Sequence, residues 1–170
     1  MRKKSLDPAD RMGVYKRLAD VPDRYRLANY GDEYRGRDVW QEFCEAFEYQ
    51  QGDHDDYRQE VDRVGRRWKA FMDDRGRHHA LATPEDVEAW CVHLLEEREF
   101  TPRHALTHWV RVKRLYDWLQ WHTGHPHVYH PALMAAAAGG AAGEIWDVKA
   151  ERNRDRRENY RKHHTTEGES

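Results

Sequence analysis

Two stretches of this chain repeat one spacing. Tyr57, Val61, Val64, Trp68 and Phe71 follow one another at steps of 4, 3, 4 and 3, and so do Ala105, Trp109, Val112, Tyr116 and Leu119. That is the period of a helix with one buried face, and no comparable alternation of period two marks a strand. The second stretch opens on Thr101-Pro102, and a further one opens on Thr83-Pro84 with Glu85 and Asp86 behind it. Threonine before proline suits a helix start. The hydroxyl accepts from the first turn, proline needs no N–H there, and acids favour the positive end of the dipole.

Four helices are therefore expected between residues 38 and 131. The first begins at Asp38 and buries Val39, Trp40, Phe43, Cys44 and Phe47. The second runs from about Asp56 to Arg75 and stops at Gly76; Gly65 within it costs ~1 kcal/mol relative to alanine. The third carries Val87, Trp90, Cys91, Leu94 and Leu95, and the fourth reaches Gly124. Four such stripes close one small all-α, four-helix bundle. Residues 1–37 read as an N-terminal extension with a short helix from Asp7 to about Ala19. Residues 132–170 read as a flexible linker, "AAAAGGAAG", followed by a highly charged helix with little to bury.

Composition sets outer bounds. Of 170 residues, 38 % are hydrophobic and 35 % charged, while seven Trp and nine Tyr argue against disorder. Cys44 and Cys91 fall on apolar helix positions, as buried free thiols in a reducing compartment would. The run Ala132–Ala138 is too short to span a bilayer, and the basic N-terminus lacks an apolar region behind it, so a cytoplasmic protein without membrane contact is expected.

With a formal net charge of −2, the case for a polyanion rests on where the charges sit. Between residues 38 and 51 there are acids alone: Asp38, Glu42, Glu45 and Glu48. The second and fourth helices are net basic, the third net acidic. Away from their apolar stripes, the second helix presents Gln59, Arg63 and Arg66, with Lys69 nearby. The fourth presents Arg103, Thr107, Arg111 and Arg114, with His104 beside them and Lys113 flanking the stripe. Arg, Lys, Thr and Gln are the side chains that contact phosphates and base edges. These ten residues are the candidate contacts to double-stranded DNA.

No phosphate loop or paired-carboxylate pattern appears, and no cofactor is implied. His122, His125, His127 and His130 cluster without a nearby cysteine and read as a polar inter-helix loop rather than a metal site. Trp118 and Trp121 lie outside the stripe of the fourth helix and are expected to pack beneath the N-terminal segment.

"TPRHALTHWVRVKRLYDWLQWHTG" resembles the last helix of the core-binding domain of tyrosine recombinases, the phage-integrase family. Thr101, Trp109, Val112, Lys113, Leu115, Tyr116, Trp118, Leu119 and Gly124 fall in its register, and His130-Pro131 stands where that family has Asn-Pro. His104 replaces a usual threonine. Upstream, "YRQEVDRVGRRWKAFMDDRG" and the Thr83-x-x-Asp86-Val87 opening are similar to the family's second and third helices. The resemblance covers about residues 38–131 and implies a SAM-like bundle whose second and fourth helices lie on DNA. The 39 residues after Pro131 are too few for the family's catalytic half. His108-x-x-Arg111 and Tyr160 echo its catalytic groups without a packed site to hold them. The expectation is a non-enzymatic DNA-binding protein, an accessory or regulator of site-specific recombination in a mobile element. Two rival expectations are a module that docks a full-length recombinase, and one half of a split integrase working with a separate catalytic chain.

Overall fold

Side chains open the helices. In the computed structural model, which describes residues 5–122 and 124–165, Thr83 Oγ1 accepts from Asp86 N at 3.2 Å and Asp86 Oδ2 accepts from Thr83 N at 2.8 Å. This reciprocal cap starts helix α4. Thr101 caps α5 through His104 N, and Asp38 caps α2 through Gln41 N. His130 is a fourth such cap. Its Nδ1 accepts from Leu133 N at 3.2 Å, with Pro131 in the first helical position.

The elements in order are α1 (Gly31–Tyr34), α2 (Val39–Ala46), α3 (Asp55–Asp74), α4 (Pro84–Val92), α5 (Pro102–Trp121), α6 (Pro131–Ala138) and α7 (Gly140–Thr165). Helix α4 widens into a π turn at His93–Glu97. The described residues are all-helical and contain no strand. Helix α5 is central, packing against α2, α3, α6 and α7. All five residues of its predicted stripe are buried, as are Val61, Val64 and Trp68 of α3 and Val87, Trp90, Cys91 and Leu94 of α4. Phe47 departs from expectation: it falls at the cap of α2, where the helix has ended, and is exposed.

Gly65 has a reason to be there. A Cβ at that position would lie 2.2 Å from Nε1 of buried Trp40, so the helix pays a weak propensity to let an indole lie against its backbone.

The two flanks differ from expectation. The helix predicted over Asp7–Ala19 is two separate 3-10 turns, Pro8–Asp10 and Leu18–Asp20. Between them Gly13 takes φ +89°, a left-handed backbone that interrupts any helix. Met12, Val21, Leu27 and Tyr34 of this extension are buried in the same core as the bundle. The Tyr129 hydroxyl accepts from Leu27 N, and Trp146 Nε1 donates to Leu6 O at 2.8 Å, tying the extension to the far end of the chain.

The predicted linker is a buried helical hairpin. Ala132–Ala136 lie inside, as do Ala142, Ile145 and Trp146. Alanine is the best helix former and its small side chain allows close approach, so the run supplies α6 rather than a tether. Gly139 and Gly140, at φ +89° and +64°, turn the chain into α7. Glu88 of α4 then caps α7, its two carboxylate oxygens accepting from Ala141 N at 2.6 Å and Ala142 N at 3.0 Å.

Candidate nucleic-acid interface

A cleft of about 320 Å³ runs along α5 between α3 and α7. Its lining comprises Glu60 of α3, Leu106, Thr107, Val110, Arg111 and Arg114 of α5, and Lys149, Arg152, Asn153 and Arg156 of α7. The side of α5 that its stripe points away from therefore faces a groove.

The ten candidate contacts divide. Gln59, Arg63 and Arg66 are exposed on α3, and Arg103, His104 and Thr107 on α5. The other four are engaged by carboxylates of the protein itself. Lys69 pairs with Asp38 at 2.9 Å, and nearly buried Lys113 pairs with Asp117 at 2.6 Å. Arg111 and Arg114 both serve Glu48, whose carboxylate is wholly buried. Arg111 Nη1 reaches Oε1 at 2.7 Å, while Arg114 Nε lies 3.0 and 2.9 Å from Oε1 and Oε2. The Tyr57 hydroxyl donates to the same carboxylate at 2.5 Å. A buried carboxylate needs such partners, so these two arginines neutralise it in place and add little to the field of the groove.

Helix α7 supplies charge that the sequence reading missed. Lys149, Arg152, Asn153 and Arg156 sit at steps of 3, 1 and 3 and continue the face on which Ala142, Ile145 and Trp146 are buried. Glu144, Asp147, Glu151, Asp155 and Glu158, at steps of 3, 4, 4 and 3, share the opposite face. The near face of α7 carries basic groups without acids, and the far face carries the acids together with Arg154. Lys149 Nζ lies over the rings of Trp146 and Trp109, at 5.2 and 5.9 Å. Arg152 and Arg156 form no ion pair among the described residues. A helical wheel of residues 140–160 holds this signal, which a net count over a tail conceals.

The α3 wall follows from contacts on either side. Glu60 is 3.8 Å from Arg111 and Arg67 Nη1 is 2.8 Å from His108 Nε2. Arg63, three residues from Glu60 and four from Arg67, is exposed between them on α3. It too lacks an ion-pair partner among the described residues, as does Arg103.

Both ends of His108-x-x-Arg111 are engaged within the protein. His108 is buried against Arg67, and the partly exposed Arg111 is bound to Glu48. Burial pushes the His108 imidazole down to about 4, so it is neutral and accepts the arginine proton at Nε2. Tyr160 is exposed on α7.

The histidine loop is likewise drawn in. The buried His127 Nε2 pairs with Ala80 O at 2.6 Å, and the ring packs against Tyr34 and Tyr116. His130 Nε2 lies 2.8 Å from Asp117 Oδ1, and His125 Nδ1 shares a 2.5 Å hydrogen bond with the Tyr34 hydroxyl. These rings clamp the extension to the bundle. No three His, Cys, Asp or Glu side chains are placed to hold a metal among the described residues. Trp118 is half-buried against Phe43, while Trp121 is 85 % exposed instead of packing under the extension. Both cysteines are buried, which pushes the Cys44 thiol up to about 12. No helix among the described residues is long and apolar enough to cross a membrane.

Comparison of the chain with protein-family profiles, with curated proteins and with solved structures finds no match.

Proposed function

We propose that this protein is a non-catalytic binder of double-stranded DNA that seats a phosphate backbone in the α3–α5–α7 groove. The observation that carries the reading is that Arg152 and Arg156 of α7 line the groove without an ion pair among the described residues, while the exposed Arg63 of α3 and Arg103 of α5 lie one helical turn from its lining residues Glu60 and Thr107. The groove's own Glu60 faces Arg111, and Glu48 is buried behind two arginines, so the acids present are already answered. Planar guanidinium forks suit phosphate oxygens, while Thr107, His104 and Gln59 remain exposed for base edges or further phosphate contacts. Together with the resemblance of residues 38–131 to a recombinase core-binding domain, this supports an accessory role in site-specific recombination of a mobile element.

A second reading, docking onto a recombinase, is favoured by one observation: Trp121 stands 85 % exposed at the end of α5 with no role in the groove.

Salt dependence tests the first reading. Four phosphate contacts release counterions, giving log K against log[salt] a slope of about −4 for duplex DNA. The Arg152→Gln/Arg156→Gln variant should fold normally, bind more weakly and flatten that slope by about 2. Fluorescence anisotropy with a labelled duplex between about 50 and 200 mM salt measures both. Absence of binding at the low end, or an unchanged slope in the variant, overturns the reading.

A further inference from the structure

A second cleft, of about 290 Å³, lies between α3 and the π turn that ends α4. Arg66 and Arg67 come from α3 and Arg98 from just beyond the turn, over walls that include Phe71, Trp90 and Leu94. Asp74 is the acid in its lining; His93, also there, is engaged with Glu97 at 2.7 Å.

The backbone goes to some trouble to bring Arg98 here. The π turn closes with Arg98 N donating to His93 O, and Phe100 N then reaches back to Leu94 O, both at 3.0 Å. Between them Glu99 takes φ +54°, the left-handed region that non-glycine residues rarely enter. π turns and such backbone outliers gather at functional sites.

Arg67 and Arg98 are held by a ring instead of carboxylates. The Phe100 ring has the Arg98 guanidinium 5.4 Å and the Arg67 guanidinium 5.8 Å from its centre, and His104 stacked on it at 3.9 Å. Among the described residues Arg67 finds its hydrogen-bond acceptor in the neutral His108 ring. None of the three forms an ion pair among the described residues, in a protein where Arg75, Arg77, Arg111 and Arg114 all do. A cation over a ring keeps its N–H groups available, and with Arg66 beside Arg67 and Arg98, three guanidiniums in one cleft repel one another until an anion joins them.

We propose that this cleft is a phosphate-binding site in which Arg66, Arg67 and Arg98 converge on the oxygens of one phosphate group. Burial and the neighbouring Arg98, Arg63 and Arg66 charges draw the Arg67 guanidinium below its ordinary pKa, as expected where the counter-charge is to come from a ligand. Two sources offer that chemistry: a phosphodiester of a DNA strand running past Arg63, or a phosphomonoester at a DNA end or on a nucleotide. The site stands without the groove reading, because inorganic phosphate alone probes it.

Thermal unfolding is followed in inorganic phosphate and in sodium chloride of matched ionic strength. Phosphate at ten times its Kd should raise Tm by about 4 °C over the chloride control. Arg66 and Arg98 are exposed, so the Arg66→Gln/Arg98→Gln variant should fold and lose the increment, whereas Arg152→Gln/Arg156→Gln should keep it. Anisotropy with blunt duplexes bearing or lacking a 5′-phosphate then separates the sources. A preference for the phosphorylated end that Arg66→Gln/Arg98→Gln abolishes assigns a monoester. Equal binding of both duplexes, weakened about tenfold by that variant, assigns a phosphodiester. A Tm rise no larger than in chloride, or one that survives in Arg66→Gln/Arg98→Gln, overturns the proposal, whatever becomes of the groove.

Discussion

Replace Arg111 and Arg114 together by alanine, and the wholly buried carboxylate of Glu48 keeps only the Tyr57 hydroxyl. Each arginine alone contributes charge-assisted hydrogen bonds worth about 1.5–3 kcal/mol net. Either single variant should sit near the low end, because the remaining arginine still neutralises the carboxylate. The double variant strands the charge, and an uncompensated buried charge costs about 3–5 kcal/mol. With a small domain's whole margin at about 5–15 kcal/mol, that is a large fraction. For a chain of this size it corresponds to a fall in Tm of about 12 °C. The losses should therefore be steeper than additive. Replacing all three charged groups, as Glu48→Met/Arg111→Met/Arg114→Met, should recover most of the loss, since buried ion pairs exchange for apolar packing at little cost. Urea and thermal unfolding followed by tryptophan fluorescence and far-ultraviolet circular dichroism measure every variant. A double variant destabilised by less than about 1 kcal/mol, or a triple variant no better than the double, refutes the reasoning. The result also governs how DNA binding is to be tested: failure of Arg111→Ala/Arg114→Ala to bind would report a damaged fold, not a lost contact.

Three further outcomes are expected. Gly65→Ala gains about 1 kcal/mol of helix propensity but drives a Cβ into Trp40, and should lose about 2 kcal/mol net; a stabilised variant in urea would contradict the packing. Glu88→Ala leaves Ala141 N and Ala142 N without their acceptor; it should cost about 1–2 kcal/mol and speed amide exchange at the start of α7, and unchanged exchange there would refute the cap. Burial lowers the folded-state values of His79 to about 3 and of His108 and His127 to about 4. Their stabilisation is thus complete above the unfolded value near 6.5 and lost as pH falls below it, at about 1.4 kcal/mol per pH unit for each group. Stability should drop by about 3 kcal/mol from pH 6.5 to 5.5, the slope steepening across the interval as the unfolded-state rings take up protons; a flat urea midpoint across that interval would refute the burial of these rings as neutral groups.

The helices of the bundle were legible because their signals are local. A cap, a proline and an apolar stripe lie within one segment, and Thr83, Thr101 and the α5 stripe behave as their neighbours in sequence dictate. What escaped depends on partners far away in the chain. The alanine run around residue 135 reads as a tether until α4 and α5 are seen to cover it, and Gly13 breaks a helix that periodicity alone would continue. The same holds for charge. Arg111 and Arg114 look outward on a helical wheel of α5, but that wheel cannot show Glu48 arriving from a 3-10 turn 63 and 66 residues earlier. Conversely, Lys149, Arg152 and Arg156 were averaged away with the acids of their own helix, although they and those acids occupy opposite faces.

Helix α7 spans 26 residues, and its apolar stripe ends at Ala150. Starting a helix is its expensive step, and here the bundle meets that cost through the Glu88 cap and the packing of Ile145 and Trp146. Every residue beyond Ala150 only propagates a helix already begun, one hydrogen bond for each residue fixed. The outer part, about 22 Å at 1.5 Å per residue, can therefore stand formed before any partner arrives. A ligand meeting Arg152 and Arg156 would then bind a ready-made rod, with no charge for folding it on arrival, a charge that commonly consumes about 2–5 kcal/mol of interaction energy.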